Sequence, residues 1–214
     1  MEDKFIYKLE RELISKENAN LAYQYLLKKK KVARYLFDDK SISEFDTQWG
    51  YWNDPQVPNT YTCYADLLTE TILEMVKPKV EALLNKKLIE QYSFLRVYQN
   101  GDELERHTDR LECEISVTIN MGGDVEWPFY LERPSEDDKK GYNVEKIIMN
   151  PGDAVLYRGD EVEHWREKFR GENCAQVFFH YNEILENKPD QQKYDNRPFL
   201  GCPTWTKDKS KLKI

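Results

Sequence analysis

At Leu88 the hydrophobic pattern of the chain changes period, and that switch limits the folds open to it more than any other feature. Upstream, apolar side chains recur at helical spacing from Ser15 to about Leu36. They do so again from Tyr64 to about Leu84, where Leu68, Ile72, Val76, Val80 and Leu84 stand four apart. Ser15 is a candidate N-cap for the first helix, and Pro78 predicts a kink or break in the second. Residues 38–62, with Asp38-Asp39, Asn53-Asp-Pro55 and Val57-Pro58-Asn59, read as irregular. Downstream the pattern becomes extended. The candidate strands are Tyr92–Tyr98, Cys113–Ile119, Phe129–Leu131, Asn143–Ile148, Ala154–Tyr157 and Cys174–Tyr181. Turn signals separate them at Asn100-Gly101, Gly122-Gly123-Asp124, Asn150-Pro151-Gly152-Asp153 and Arg170-Gly171. Short punctuated strands braced by two helices predict a mainly β protein, a sandwich or barrel.

A length of 214 residues suits one domain. We divide it into a helical support region over 1–87, a β core over 88–182 and a polar C-terminal extension over 183–214. Arg133–Gly141 is expected to be a solvated hairpin loop and Lys207–Ile214 a frayed end. With 39 acidic and 32 basic side chains the net charge is −7, so no global field favours a nucleic-acid backbone, and nucleic acid is not the expected partner. Four dispersed cysteines without a CxxC pair predict reduced thiols rather than a disulfide scaffold. The first residues lack the apolar stretch of a secretory signal, and no run reaches the roughly 18 residues of a membrane span. A soluble, cytoplasmic protein with no membrane partner is the expectation. The run Lys28–Lys31 reads as a solvated helix end, where cations favour the helix dipole, rather than as a localisation tag.

Histidine is scarce: His107, His164 and His180 are the three in the chain. In an extended His107-Thr108-Asp109 segment the imidazole and the carboxylate point to the same side. His164 lies 57 residues downstream, just after the strand that follows Pro151-Gly152-Asp153. Two imidazoles and one carboxylate on one face of an octahedron leave open positions, the pattern of non-haem Fe(II) oxygenases. A loop ion pair between His107 and Asp109 is the plainer alternative.

The stretch Phe94–Tyr181, about 90 of the 214 residues, resembles the double-stranded β-helix (jelly-roll, cupin-like) core of the 2-oxoglutarate- and Fe(II)-dependent dioxygenases, nearest the prolyl-hydroxylase branch. Tyr98-Gln-Asn-Gly101 followed by His107-Thr-Asp109 is similar to that branch's Tyr-x-x-Gly…His-x-Asp stretch. Asn150-Pro-Gly-Asp-Ala-Val-Leu-Tyr157 leading to Glu163-His164-Trp165 resembles its second half. The resemblance implies Fe(II) held by His107, Asp109 and His164, with 2-oxoglutarate and O₂ as cosubstrates.

The pattern departs from the branch at the group that anchors the distal carboxylate of 2-oxoglutarate. Where the branch carries a cation, at the start of the last core strand, this chain has Asn173 and Cys174. Arg166 is the favoured replacement, because an extended backbone would aim it to the same side as His164. The alternative for Arg166 is a surface pair with Glu163 or Glu167. Arg170 and Gln176 are weaker candidates. Tyr98 and Thr118 are expected to offer hydroxyls, although Thr118 faces inward only in one strand register. His180 reads as a supporting histidine rather than a fourth ligand.

The implied reaction hydroxylates an unactivated C–H bond while 2-oxoglutarate is converted to succinate and CO₂. A carboxylate at Asp109, rather than a small residue, argues against halogenation. The expected substrate is a prolyl or other residue in a protein or peptide. A free amino acid or other small metabolite is the alternative, and a metal-binding β-barrel interaction module without turnover is a second. A cupin-like enzyme working without 2-oxoglutarate is a third.

Overall fold

In the computed structural model the described residues are 5–43, 45–111, 113–134, 142–186 and 191–206. Helix α1 spans Lys16–Asp38, and Ser15 caps it by accepting a hydrogen bond from the Asn18 amide. The lysine run expected at a helix end therefore lies inside α1. Lys29 turns inward to Asp66 at 2.5 Å and Lys30 donates to Asn173 Oδ1. Helix α2 spans Leu67–Leu84 and starts later than its apolar spacing suggests. Asp66 caps it by accepting from the Leu68 and Thr69 amides, and Tyr61–Tyr64 before it forms a strand, β2, instead. Pro78 interrupts nothing: α2 runs through it. Pro78 and Glu74, whose carbonyl loses its helical donor, are both exposed, so that carbonyl is open to solvent.

The strands form two antiparallel sheets. Tyr7–Glu10 (β1), Leu88–Tyr98 (β3), Ile115–Gly123 (β5), Ala154–Tyr157 (β8) and Cys174–Glu183 (β10) join β2 in a six-stranded sheet ordered β1-β8-β5-β10-β3-β2. Leu104–His107 (β4), Phe129–Pro134 (β6), Tyr142–Ile147 (β7) and His164–Arg166 (β9) make a four-stranded sheet ordered β4-β9-β6-β7. From β3 to β10 the chain crosses repeatedly between the sheets. The strands absent from the sequence reading, β1, β2, β4 and β9, are short: four, four, four and three residues. The expected loop over Arg133–Gly141 lies mostly outside the described residues, though its flanks pair as a hairpin up to Pro134 and Tyr142. The expected frayed end, Lys207–Ile214, lies outside them entirely. Among the described residues no helix is long and apolar enough to cross a membrane.

Alternation along the long strands sorts side chains by destination. Ile115, Val117, Ile119 and Met121 on β5, with Ala175, Val177, Phe179 and Tyr181 on β10, pack into one core with Leu26, Leu73, Val76 and Val80 of the helices. The opposite parity faces the smaller sheet and carries polar groups: Arg96 and Tyr98 on β3, Ser116, Thr118 and Asn120 on β5, Gln176 and His180 on β10. Helices on one side of the large sheet thus free its other side for a site.

Residues 191–206 are tied to the body through Arg197. Its guanidinium, fully buried, meets both Glu70 oxygens at 2.8 and 3.0 Å and the Gln91 and Cys202 carbonyls. Removing one partner strands a buried charge. Arg197→Ala should lower the unfolding free energy by about 3–5 kcal/mol in urea titration, detaching this segment from α2.

Candidate metal centre

His107 and His164 are directly opposed across the antiparallel β4–β9 pair, and their rings lie 4.3 Å apart between centroids. Asp109, two residues past His107, is fixed by its own amide, which donates to the Gly159 carbonyl at 2.8 Å. Its Oδ1 sits 3.7 Å from His107 Nε2 and 3.6 Å from His164 Nε2. The three ligand atoms lie within 4.8 Å of one another. Each imidazole is oriented from behind: His107 Nδ1 lies 2.7 Å from the Glu105 carbonyl and His164 Nδ1 2.9 Å from that of Val162. A carbonyl accepts only from Nδ1–H, so both Nε2 lone pairs point at the shared centre. His107 is 22% exposed, Asp109 17% and His164 3%, so the cluster opens to solvent on the His107 side.

A cavity of about 170 Å³ contains this cluster, walled by Tyr92, Phe94, Arg96, Tyr157, Phe178 and His180, with Asp54 and Gln56 from the preceding loop beside them. His180 is not one of the residues whose ligand atoms converge with those of His107 and His164. Its Nδ1 lies 3.1 Å from Ser116 Oγ, and its ring packs 4.5 Å from that of Tyr92. Ser116 Oγ in turn donates to Asp109 Oδ2 at 2.7 Å. Asp109, Cys113 and His180 form a second group able to converge on a metal. Its donors already have neighbours, the Cys113 thiol lying 3.1 Å from the Tyr92 hydroxyl.

Arg166, Tyr98 and Thr118 all face the interior between the sheets. Arg166 is 1% exposed and pairs with neither Glu163 nor Glu167; Glu163 is held by Arg106 instead. Its guanidinium donates to the Trp127 carbonyl at 2.7 Å and to Gln176 Oε1 at 3.1 Å and lies over the Trp127 ring. Its Nε has no acceptor, and among the described residues no carboxylate pairs with it. Burial lowers its pKa. Arg166 lines a separate cavity of about 220 Å³ with Asn120, Trp127, Cys174 and Gln176, not the one that holds the histidines. Its guanidinium is 5.3 Å from the Phe129 ring, which lies 5.7 Å from the His164 ring. Thr118 Oγ1 is 3.1 Å from the Tyr157 hydroxyl, and Tyr157 stands edge-on to His164. Tyr98 packs against Trp127 with its hydroxyl 3.4 Å from Arg96. Arg170 is exposed and away from both cavities.

Three residues at the site escaped the sequence reading. Arg96, 2% exposed, is tied at one end to Asp54 and Gln56 at 2.9 and 2.8 Å, while its Nε is buried without an acceptor. The signal was a lone charge in the apolar run Tyr92–Tyr98, in step with Phe94 and Tyr98. Ser116 shares the parity of Thr118 and carried no signal of its own. Gly159 lies over the Ser116–Asp109 contact: a Cβ there would fall 2.2 Å from Ser116 Oγ and 2.5 Å from Asp109 Oδ2.

Burial pushes the imidazoles of His164 and His180 down to about 4. Unfolded histidine titrates near 6.5, so between about pH 6.5 and 4 the unfolded chain holds more protons than the folded one. The stability that these two histidines contribute to the metal-free protein is therefore fully present above about pH 6.5 and lost as pH falls toward 4. The slope should approach about 1.4 kcal/mol per pH unit for each histidine. Urea titrations at about pH 7, 6 and 5 check this, and a flat profile contradicts it.

No protein-family model matches the chain, and no curated protein matches it in sequence. Solved structures do match in fold. A prolyl-4-hydroxylase from Pseudomonas putida is 10% identical with a TM-score of 0.55, over 85% of this chain and 95% of that one. The viral collagen prolyl hydroxylase of Paramecium bursaria Chlorella virus-1, solved as a 2-oxoglutarate complex, is 11% identical with a TM-score of 0.55, over 86% and 98%. HygX from Streptomyces hygroscopicus, solved with nickel and 2-oxoglutarate bound, is 11% identical with a TM-score of 0.58, over 86% and 85%. The chain is built on the fold of the 2-oxoglutarate- and Fe(II)-dependent oxygenases, prolyl hydroxylases among them.

Proposed function

We propose that the chain is a single-domain Fe(II)- and 2-oxoglutarate-dependent dioxygenase with a double-stranded β-helix core, hydroxylating an unactivated C–H bond. The observation that carries this reading is the convergence of His107, Asp109 and His164, with a buried guanidinium that lacks an anion on the far side of the Phe129 ring. The donor set suits the metal: two neutral imidazoles and one carboxylate match a borderline ion such as Fe(II) and leave positions open. Arg166 suits the cosubstrate. An uncompensated buried cation is costly, and a carboxylate reaching it would remove that cost while satisfying the orphaned Nε.

In this reading His107, Asp109 and His164 hold the metal, and Arg166 anchors the distal carboxylate of 2-oxoglutarate. Tyr98 and Thr118 supply polar support around it. When bound, Fe(II) with 2-oxoglutarate and O₂ supplies the oxidising chemistry, and succinate and CO₂ leave. The chain contributes position and dryness. The carbonyls of Glu105 and Val162 keep both imidazoles in the tautomer that presents Nε2. Tyr157, Phe94 and Phe178 line the cavity with apolar surface that limits water.

For the substrate we favour a residue within a protein or peptide, a prolyl residue above others. Two of the fold neighbours are prolyl hydroxylases. Arg96 supports the same choice. Its charge is already balanced by Asp54, so its free Nε–H suits a neutral amide carbonyl better than the carboxylate of a free amino acid.

An anaerobic titration tests the cofactor reading. Fe(II) and 2-oxoglutarate added to the metal-free protein should produce the weak visible charge-transfer band of the chelate, and His164→Ala should abolish it. Iron binding without that band would end the 2-oxoglutarate assignment. Arg166→Met should weaken 2-oxoglutarate binding by about 10- to 100-fold, the worth of a charge-assisted hydrogen bond, with iron affinity retained. Unchanged 2-oxoglutarate affinity in that variant removes the anchor but not the metal set.

A further inference from the structure

The carboxylate of Asp109 has two oxygens in different situations. Oδ1 faces both histidine Nε2 atoms at 3.7 and 3.6 Å. Oδ2 faces away and accepts the Ser116 hydroxyl proton at 2.7 Å. Ser116 has one proton to give. With it committed to Asp109, Ser116 Oγ is an acceptor for His180, whose Nδ1 lies 3.1 Å away and therefore carries hydrogen. His180 is in turn held by the Tyr92 ring at 4.5 Å. Tyr92 is flanked by Tyr64, stacked on it, and by Arg110, whose guanidinium lies over its ring. Gly159 supplies an independent sign that this arrangement is built. It is the residue whose carbonyl holds the Asp109 amide, and a Cβ there would strike both Ser116 Oγ and Asp109 Oδ2.

Resting on the metal reading above, we infer that Ser116 and His180 form a two-residue strut that keeps Asp109 monodentate. A carboxylate offering both oxygens would occupy a second position on the metal, and the open positions are what a bidentate cosubstrate and O₂ require. The hydroxyl of Ser116 withdraws Oδ2 from that role. His180 makes the withdrawal directional: its Nδ1–H occupies the Ser116 oxygen as a donor, and the Ser116 proton goes to Asp109 at 2.7 Å in preference to the Cys113 carbonyl at 3.4 Å. Both are positioning residues, acting through Asp109, although His180 also forms part of the cavity wall. This also gives the third histidine a role that the sequence left open.

The strut predicts an effect that general loss of packing would not produce: metal binding survives while cosubstrate binding suffers. The test compares wild type with Ser116→Ala, His180→Leu and His180→Gln. Fe(II) is titrated anaerobically into each, then 2-oxoglutarate, and the charge-transfer band is followed. Ser116→Ala should keep Fe(II) affinity within about 3-fold of wild type or tighten it, weaken 2-oxoglutarate by about 10-fold, and shift the band. His180→Leu should move the same way by a smaller factor. His180→Gln, which keeps an N–H to offer Ser116, should lie closer to wild type. Ser116→Ala and His180→Leu proteins that bind 2-oxoglutarate like wild type with an unshifted band overturn the inference. So do variants that lose iron and 2-oxoglutarate in step with their thermal stability. A wild-type protein that binds no iron overturns the metal reading itself and the strut with it, whereas unchanged variants on a functional wild type remove only the strut.

Discussion

The pairing of β4 with β9 is the contact on which the site depends. It opposes His107 and His164 across an antiparallel ladder, where facing Cβ atoms stand about 5 Å apart. That separation lets the two imidazoles pack against each other, 4.3 Å between centroids, with both Nε2 atoms near Asp109 Oδ1. These strands are too short to hold their place alone; β9 is kept in register by β6, which pairs with it on its other side. The four-stranded sheet therefore frames this cross-strand pair while packing its own small core of Phe129, Leu131 and Ile147 with Val155 and Tyr157. The larger sheet supplies the remaining wall. Its apolar parity is committed to the helices, so polar groups can line the opposite face without weakening the main core.

This division explains what was readable in the sequence. His107, Asp109 and His164 stood out because the chain has so few histidines and because one of them is two residues from a carboxylate. The strands that join them did not. Leu104-Glu-Arg-His107 and His164-Trp-Arg166 are too short and too polar to display a period, and they exist as strands only because each finds a partner. Tyr61–Tyr64 was hidden for another reason: the apolar spacing of α2 extends back over it, and only the Asp66 cap decides where the helix begins. The direction of Thr118 was undecided by alternation alone. The helices settle it, because the parity of Ile115, Val117 and Ile119 has an apolar partner to cover and Thr118 does not.

Arg96 and Arg166 show the limit of reading residues singly. Both are long cations on short-period strands, and sequence spacing aimed attention at Arg166 through His164 alone. In three dimensions they differ in their neighbours. Asp54 and Gln56 hold one end of Arg96, so its charge is met before any ligand arrives. Among the described residues Arg166 meets a carbonyl, an amide oxygen and aromatic faces, and no carboxylate. Such contacts orient a guanidinium but do not neutralise it.

That imbalance has a consequence for the protein without ligands. An unpaired buried cation destabilises the fold by several kcal/mol relative to a paired one, and the same burial that disfavours charge on Arg166 also keeps His164 and His180 neutral. A buried imidazole at His164 and a lone guanidinium at Arg166 are poor choices for a core assembled for stability alone. In the proposed reading a divalent cation at the His107, Asp109 and His164 donors and a carboxylate at the guanidinium would each recover free energy withheld from the empty fold. The contrast between the apolar face of the large sheet under the helices and the half-satisfied polar groups on its other face is thus the physical basis of the proposed site, one deficit matching a cation and the other an anion.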